Sequence, residues 1–348
     1  MTSHHYTETA TPDATKRYAS DLNDREFALI APHVAQKAGS GKKRTVDIRE
    51  VLNASFYRIR TGCQWRMLPS DFPAWYHVWY YYRTWRNDGT LERINTILRR
   101  EVRSKAGCDR EPSVGIMDSQ SVEATEMGGE KGFDPRKQVQ GRKRHLLTDT
   151  LGLILFVVVC AACIADSDGA EYIFHETEGR FPRLHTVLVD QGYKSWLVEF
   201  AKRWFGIIVE VVMRSPEQRE FVVQPQRWKI EHTFGWLDWS RILSKEYERT
   251  TESSESNIYL ASIRLMLRRL GIPTNCDNLL NLSDTCSISG ANLLLRSGCV
   301  ACAMHALRPE HAIHIAGLRS YLQSRHSQPV DICGQQPARC PLGWTGAG

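Results

Sequence analysis

Two short apolar runs that each end in an aspartate constrain the fold of this chain more than any other feature. The first is SVGIMD, which ends at Asp118, and the second is HTVLVD, which ends at Asp190. Runs of this length and composition are typical of buried strands. Polar side chains at the carboxyl ends of strands converge on one crevice of an open α/β sheet. We therefore expect the two aspartates to share a site.

The segments around these two runs predict a mixed sheet. RKRHLLTD, the turn TLG and LILFVVVCA are typical of an antiparallel hairpin, and GIIVEVVM indicates a further strand. Helical stretches stand between the later strands, namely SDGAEYIFHETEG and GYKSWLVEFAKRWF. The sequence therefore predicts an α/β fold in which a mixed sheet is flanked by helices.

Residues 151–165 form the longest apolar run, and that run is too short for a membrane span. A spanning helix needs ~20 consecutive apolar residues. The polar N-terminal segment lacks the apolar stretch of a signal peptide. We expect a cytoplasmic, nucleoid-associated protein with reduced cysteines and no membrane partner.

Residues 40–106 predict a small all-α domain after a flexible tail at 1–39. Gly62 ends a first helix, Pro73 opens a second, and Thr90 can cap a third. This set suits a helix-turn-helix DNA-binding unit, although helical hairpins are also common in proteins that never contact DNA. The second helix carries aromatic side chains that are more often core than base-stacking groups: Trp75, Trp79, Tyr82 and Trp85.

Basic residues cluster in two places on a near-neutral background. Residues 37–66 hold eight Lys and Arg against two acids, and residues 131–144 hold six against one. Such clusters indicate a polyanionic partner, but a solvated surface explains them equally well. If DNA is the partner, the expected phosphate contacts of the first cluster are Lys42, Lys43, Arg44, Arg58 and Arg60.

A third acid, Glu231, lies in the helical segment RWKIEHTFGWL. Arg227 and Gly235 lie one turn away on the same face, and the small Gly235 leaves room for a substrate. Carboxylates brought together from three elements repel one another, and a hard divalent cation such as Mg²⁺ relieves that repulsion. Two ions ~3.5–4 Å apart would activate an attacking oxygen and stabilise a leaving oxygen at phosphorus.

Four blocks of sequence resemble the insertion-sequence transposases with a DDE catalytic domain. They occur in the family's order between about residues 46 and 270, and the three acids are separated by 72 and 41 residues, which suits that domain. The blocks are RTGCQWRMLPSDFPAWYHVWYYYRTWRNDGTLERI, MDSQSVEATEMGGEKGFDPRKQVQGRKRHLLTDTLGLIL, VDQGYKS and RWKIEHTFGWLDWSRILSKEYE.

The resemblance implies an RNase H-like catalytic domain over residues 112–271, with Asp118, Asp190 and Glu231 as catalytic, metal-binding triad. It implies Mg²⁺ or Mn²⁺ as cofactor, in two sites, and double-stranded DNA as partner, both the element's terminal repeats and the target. Two DNA ends must meet, so a homodimer or larger assembly on DNA is expected. The residues that the resemblance places near the DNA backbone are Arg142, Lys143, Arg144, His145 and Arg227.

Three positions depart from the family pattern. His232 stands where the family usually has Arg, Glu123 where Lys is commoner, and Asp238 where the broader DDE class often has Lys. These changes remove positive charge near the site while the three acids remain. A nuclease without strand transfer and a catalytically silent DNA-binding protein therefore stay open as alternatives to a transposase.

Residues 272–348 differ in character from the rest of the chain. They contain no Lys and carry six of the ten cysteines. No family resemblance covers them. We expect a Cys-rich appendage that DNA cleavage does not require.

Overall fold

A computed structural model of the chain describes residues 17–34, 46–126, 129–193, 195–212 and 228–271. The expected appendage at 272–348 lies outside these residues. Within the described residues, no helix is long and apolar enough to cross a membrane. The described helices are α1 (Asp24–Val34), α2 (Ile48–Thr61), α3 (Trp75–Asn87), α4 (Thr90–Lys105), α5 (Asp166–Thr177), α6 (Ser195–Phe205), α7 (Trp228–Asp238) and α8 (Thr251–Gly271).

Six strands of the described residues form one mixed sheet. They are β1 (Val114–Glu123), β2 (Gly132–Asp134), β3 (Val139–Asp149), β4 (Ile154–Ala161), β5 (Thr186–Val189) and β6 (Ile208–Val211). The order is β2-β3-β1-β5-β6, and β4 also pairs with β3. The β1–β3 and β3–β4 pairs are antiparallel, whereas the β1–β5 and β5–β6 pairs are parallel. This is the RNase H-like arrangement, so the predicted fold class is confirmed.

The two faces of the sheet belong to two separate hydrophobic cores. Met117, Leu147 and Val187 face α5 and α6. Ile116 and Leu188 face the opposite way and pack with α7, α8 and the N-terminal helices. Because side chains alternate along a strand, Asp118 must share the second face with Ile116.

Helix α8 joins the N-terminal helices to the sheet. Its buried side chains share one core with residues of α1, α2, α3 and α4 and with one face of the sheet. Polar contacts reinforce this packing: Arg264 pairs with Glu26 of α1 at 2.9 Å, and Ser262 donates to Asn95 of α4 at 2.8 Å. Residues 46–106 therefore form part of the same compact unit as the sheet, rather than a separate domain.

Several predicted boundaries shift in the structure. The flexible tail is wrong for residues 24–34, because α1 is ordered by burial of Ile30 and Val34 against the common core. The helix predicted around Glu231 ends at Asp238 and is followed by a short 3₁₀ turn. Gly62 adopts a φ angle of 73° at the helix end that the sequence predicts. Gly89 adopts a φ angle of 71° directly before Thr90, where the third helix is predicted to begin.

Glu255 of α8 is a buried acid with an altered proton affinity. Its Oε1 atom accepts a 2.8 Å hydrogen bond from the backbone N–H of Val159 in β4. Burial raises the pKa of Glu255 from 4.5 to about 7, and nearby Glu252, Glu176 and Glu92 add to the effect. The fold therefore favours the protonated form of this side chain.

We predict that protein stability falls as the pH rises from 4.5 to about 7, because folding then opposes ionisation of Glu255. Glu255→Gln keeps the acceptor oxygen and removes the charge. It should flatten this decline and raise the unfolding free energy at about pH 8 by about 3 kcal/mol. Urea unfolding across this pH range measures the effect. The exposed Glu178 is the control, since Glu178→Gln removes a carboxylate that is not among those acting on Glu255 and should leave the decline in place.

Candidate active site

Asp118 and Asp190 occupy equivalent positions on neighbouring parallel strands. Ile116 of β1 pairs with Leu188 of β5, and each aspartate lies two residues further along the chain. Asp190 directly follows the end of β5, as the sequence predicts, but Asp118 lies inside β1, because this strand continues to Glu123 in its pairing with β3. Neighbouring strands lie ~4.8 Å apart, and residues at the same level point to the same face. The predicted meeting of these two aspartates is thus supported by the register of the sheet.

Backbone N–H groups fix the orientation of both carboxylates. Ser119 donates to Oδ1 of Asp118 at 2.7 Å, and Gly192 donates to Oδ1 of Asp190 at 2.8 Å. A Cβ atom on Gly192 would lie 2.9 Å from Asp190 Oδ1 and 2.9 Å from Arg136 Nη1, so a larger residue here would displace these side chains. Arg136 therefore lies beside Asp190 and supplies a cation at the site. Sequence analysis missed it, although it belongs to the basic cluster at 131–144.

Helix α7 carries Glu231 across the face of the sheet on which the aspartates lie. Thr233 Oγ1 donates to the carbonyl of Gly152 at 2.8 Å, which fastens the helix to the β3–β4 turn. At the other end, Gln120 of β1 bonds to Asp238. Glu231 lies two helical turns before Asp238 and therefore on the same side of α7. A Cβ atom on Gly235 would meet nothing within 4 Å, so the space beside Glu231 is open as predicted.

A pair of carboxylates is chemically suited to a magnesium ion. Among the described residues, no three His, Cys, Asp or Glu side chains gather closely enough to hold a metal ion. Mg²⁺ needs no such protein cage, since it commonly binds one or two carboxylates together with waters and substrate phosphates. Asp118 and Asp190 are two carboxylates at one level of the sheet, and Glu231 lies on the adjoining helix.

Comparison with known families agrees with this geometry. Residues 22–95 match the model described as "Putative transposase of IS4/5 family (DUF4096)", and residues 109–266 match the model described as "Transposase DDE domain". A search of the curated proteins returns no match. The chain belongs to the insertion-sequence DDE transposases. Its function is that of a transposase, and its second matched region contains Asp118, Asp190 and Glu231.

The departures from the family pattern have structural partners in this transposase. The His232 ring lies between Trp228 and Trp236, with centroid distances of 5.1 and 4.4 Å. Glu123 pairs with Lys245 at 2.9 Å. Burial raises the pKa of Asp238 above its ordinary value, although the bond from Gln120 and the charge of Arg144 oppose that rise.

The alternating side chains of β3 correct one prediction about DNA contacts. Arg142 and Arg144 are 1% and 0% exposed and point toward the segment that follows α7. Arg144 donates its Nε–H to Glu246 at 2.7 Å, and Arg142 donates to the carbonyl of Arg249 at 2.8 Å. These guanidinium groups are held inside the transposase and do not offer donors to a phosphate backbone.

Lys143 and His145 are also buried, on the opposite face of β3. Lys143 Nζ lies 3.4 Å from Asp134 and 3.1 Å from Asp166. Burial lowers the pKa of His145 to about 4, so its imidazole is neutral at pH 7. The expected DNA contacts of this segment are therefore wrong in the structure, because β3 is covered on both faces.

The other predicted DNA contacts, in the N-terminal region and at Arg227, divide into three groups. Arg58 is 5% exposed and pairs with Glu248 at 2.6 Å, which makes it a core residue. Arg60 is exposed, and its Nη1 donates to the carbonyl of Trp239 at 2.7 Å. Four other predicted contacts lie outside the described residues: Lys42, Lys43, Arg44 and Arg227.

We predict that Arg144→Ala destabilises the transposase by about 3–5 kcal/mol, because the buried Glu246 loses the closer of its two cations and keeps only Arg142 at 3.8 Å. Thermal or urea unfolding measures the loss. The exposed Arg60 gives the control, since Arg60→Ala should change stability by no more than about 0.5 kcal/mol.

The same variant separates a structural role from a DNA contact. At a temperature where Arg144→Ala remains folded, the salt dependence of DNA binding should equal that of the unaltered chain. A phosphate contact would instead reduce the slope of log K against log[salt] by about one. Loss of that slope without loss of stability would contradict the structural role.

Proposed function

We propose that this transposase cuts DNA at the ends of its element and joins the freed 3′-OH groups to target DNA, in a reaction that depends on divalent metal ions. The observation that carries the proposal is the equivalent position of Asp118 and Asp190 on β1 and β5, beneath the helix that bears Glu231. A carboxylate pair at one level of two neighbouring parallel strands suits a phosphodiester substrate only when cations offset its charge.

Asp118, Asp190 and Glu231 would hold the Mg²⁺ or Mn²⁺ ions, with the two aspartates contributing most directly. Bound there, two such cations would offset charge on the phosphate and would favour attack by an oxygen, first of water and then of the DNA 3′-OH. The hydrogen bonds from Ser119 and Gly192 keep both carboxylates oriented before the substrate arrives. Preorganised ligands of this kind need little rearrangement during the reaction.

DNA contacts outside the acidic site would come from basic side chains near its rim and from the N-terminal region. Arg136 is exposed and lies beside Asp190, where it can reach a phosphate next to the cleaved bond. Arg60 is exposed on α2. Lys42, Lys43, Arg44 and Arg227 remain proposed contacts on sequence grounds.

Two element ends must be held together for strand transfer, so we propose at least a dimer on DNA. The substrates are double-stranded terminal repeats and double-stranded target DNA. The cytoplasm is the proposed place of action, because the DNA of a bacterial insertion sequence lies there.

We predict that Asp118→Asn, Asp190→Asn and Glu231→Gln each reduce Mg²⁺-dependent cleavage of DNA at the element ends by at least about 100-fold, because each removes a charged ligand or neighbour of the reacting phosphate. Gel analysis of labelled end fragments measures cleavage. Glu123→Gln is the matched control: it removes an exposed carboxylate of β1 that pairs with Lys245, and it should leave cleavage unchanged. Persistent cleavage in all three acid variants would refute the proposed site.

We predict strand transfer when pre-cleaved ends that carry a free 3′-OH are mixed with target DNA and Mg²⁺. The joined product should require no new cleavage at the element end, because the 3′-OH itself attacks the target phosphate. A nuclease on the same fold would release fragments and give no joined product. DNA binding without fragments or joined product would indicate a catalytically silent protein.

A further inference from the structure

Helix α3 exposes an aromatic surface that the acidic site does not use. Its inward side chains, Val78, Tyr82 and Trp85, are buried in the common core. Large rings also cover the outward side of the helix, where polar side chains are usual. We call the outward set the α3 aromatic face, and its members are Trp75, Tyr76, Trp79 and Tyr80, which are 36, 52, 39 and 60% exposed.

These rings form a shallow cleft rather than a scatter of single residues. Together with His77 they line an open space of about 440 Å³ on the surface of the protein. Clustered exposed aromatic groups mark an interaction site, since isolated exposed apolar residues are normal but contiguous patches are rare. The rings are therefore available for stacking against a planar partner.

Cationic side chains accompany the rings. The Arg66 guanidinium lies 5.2 Å from the ring centroid of Trp75, and that of Arg83 lies 5.4 Å from the ring centroid of Trp79. Helix α3 contains no Asp or Glu between Trp75 and Asn87. The nearest acid before it in the sequence, Asp71, faces Arg17 at 3.7 Å. The face thus combines stacking surfaces with positive charge that no acid of α3 offsets.

We propose that the α3 aromatic face binds unpaired bases of single-stranded DNA, with Arg66 and Arg83 contacting the adjoining phosphates. Aromatic platforms flanked by cations are the usual means of holding single strands, because every base offers a flat face and every nucleotide a negative charge. A blunt duplex offers neither exposed base faces along its length nor room for the rings between its stacked pairs. The partner is therefore a frayed or overhanging DNA end.

A second copy of the chain fits this surface less well. In a twofold-symmetric dimer the same patch meets itself. Arg66 and Arg83 of one copy would then approach those of the other, and the acid-free helix offers no opposite charge. This inference rests on DNA being the substrate, as proposed above, but it assigns a different surface from the acidic site.

The test measures binding of the full-length protein to a fluorescent oligothymidylate of about 20 nucleotides by anisotropy, without divalent metal. One binding fold covers ~4–16 nucleotides, so this length suffices. Trp79→Ala should weaken binding about 5- to 150-fold, the range expected for loss of one stacked base. Trp79→Phe should retain most of the affinity, because it keeps an aromatic ring. Arg83→Gln should lower the salt slope by about 0.7.

Trp204 of α6 gives the matched control. It is 65% exposed and has Arg203 beside its ring at 5.8 Å, but it lies outside the α3 aromatic face. Trp204→Ala should leave oligothymidylate binding unchanged. With duplex probes, Trp79→Ala should weaken binding of an end with an overhang and leave a blunt end unaffected. Thermal unfolding checks that each variant remains folded.

Two results would overturn the inference. One is equal oligothymidylate affinity in the unaltered chain, Trp79→Ala and Tyr80→Ala. The other is a dimer in sedimentation that Trp79→Ala dissociates while oligothymidylate binding is retained, since the face would then bind a second copy. Asp118→Asn keeps the two proposals distinct: it should abolish cleavage and leave oligothymidylate binding intact. If Asp118→Asn still cleaved DNA, the proposed acidic site would be wrong, but the oligothymidylate test of the α3 aromatic face would be unaffected.

Discussion

The parallel pairing of β1 with β5 is the constraint on which the site depends. It sets Ile116 opposite Leu188 and so carries Asp118 and Asp190 to the same level of the sheet. A shift of the register by one residue would turn one aspartate to the face that packs against α5 and α6. The apolar residues that precede both aspartates are buried in different cores on the two faces, which opposes any such shift.

The antiparallel strand β3 buries charged side chains on both of its faces. Arg144 meets Glu246 on one side, and Lys143 meets Asp134 and Asp166 on the other. Removing two charges from water is costly, and pairing and hydrogen bonds offset that cost. The charged cluster that resembles a DNA-binding surface in the sequence therefore fastens the sheet to α5 and to the segment before α8.

The sequence predicted some parts of the site and missed others for identifiable reasons. Asp118 and Asp190 could be identified because each ends an apolar run, although only Asp190 follows the end of its strand, since β1 continues beyond Asp118 to Glu123. Arg136 was not distinguished from its basic neighbours, because only the turn at Gly192 brings it to Asp190. The sequence also gave no indication that Arg58 pairs with Glu248, since those residues lie 190 positions apart.

Local pattern determined the strands, most helices, the helix ends at Gly62 and Gly89, and the identity of the acids. These features follow from side-chain periodicity and from backbone preferences that act over a few residues. Tertiary structure alone decided which cations are internal, that α1 is ordered, and that residues 46–106 share a core with the sheet. It also decided that the α3 aromatic face points outward. Burial depends on elements that are distant in sequence. The sequence of one helix or strand therefore does not specify which of its faces other elements will cover.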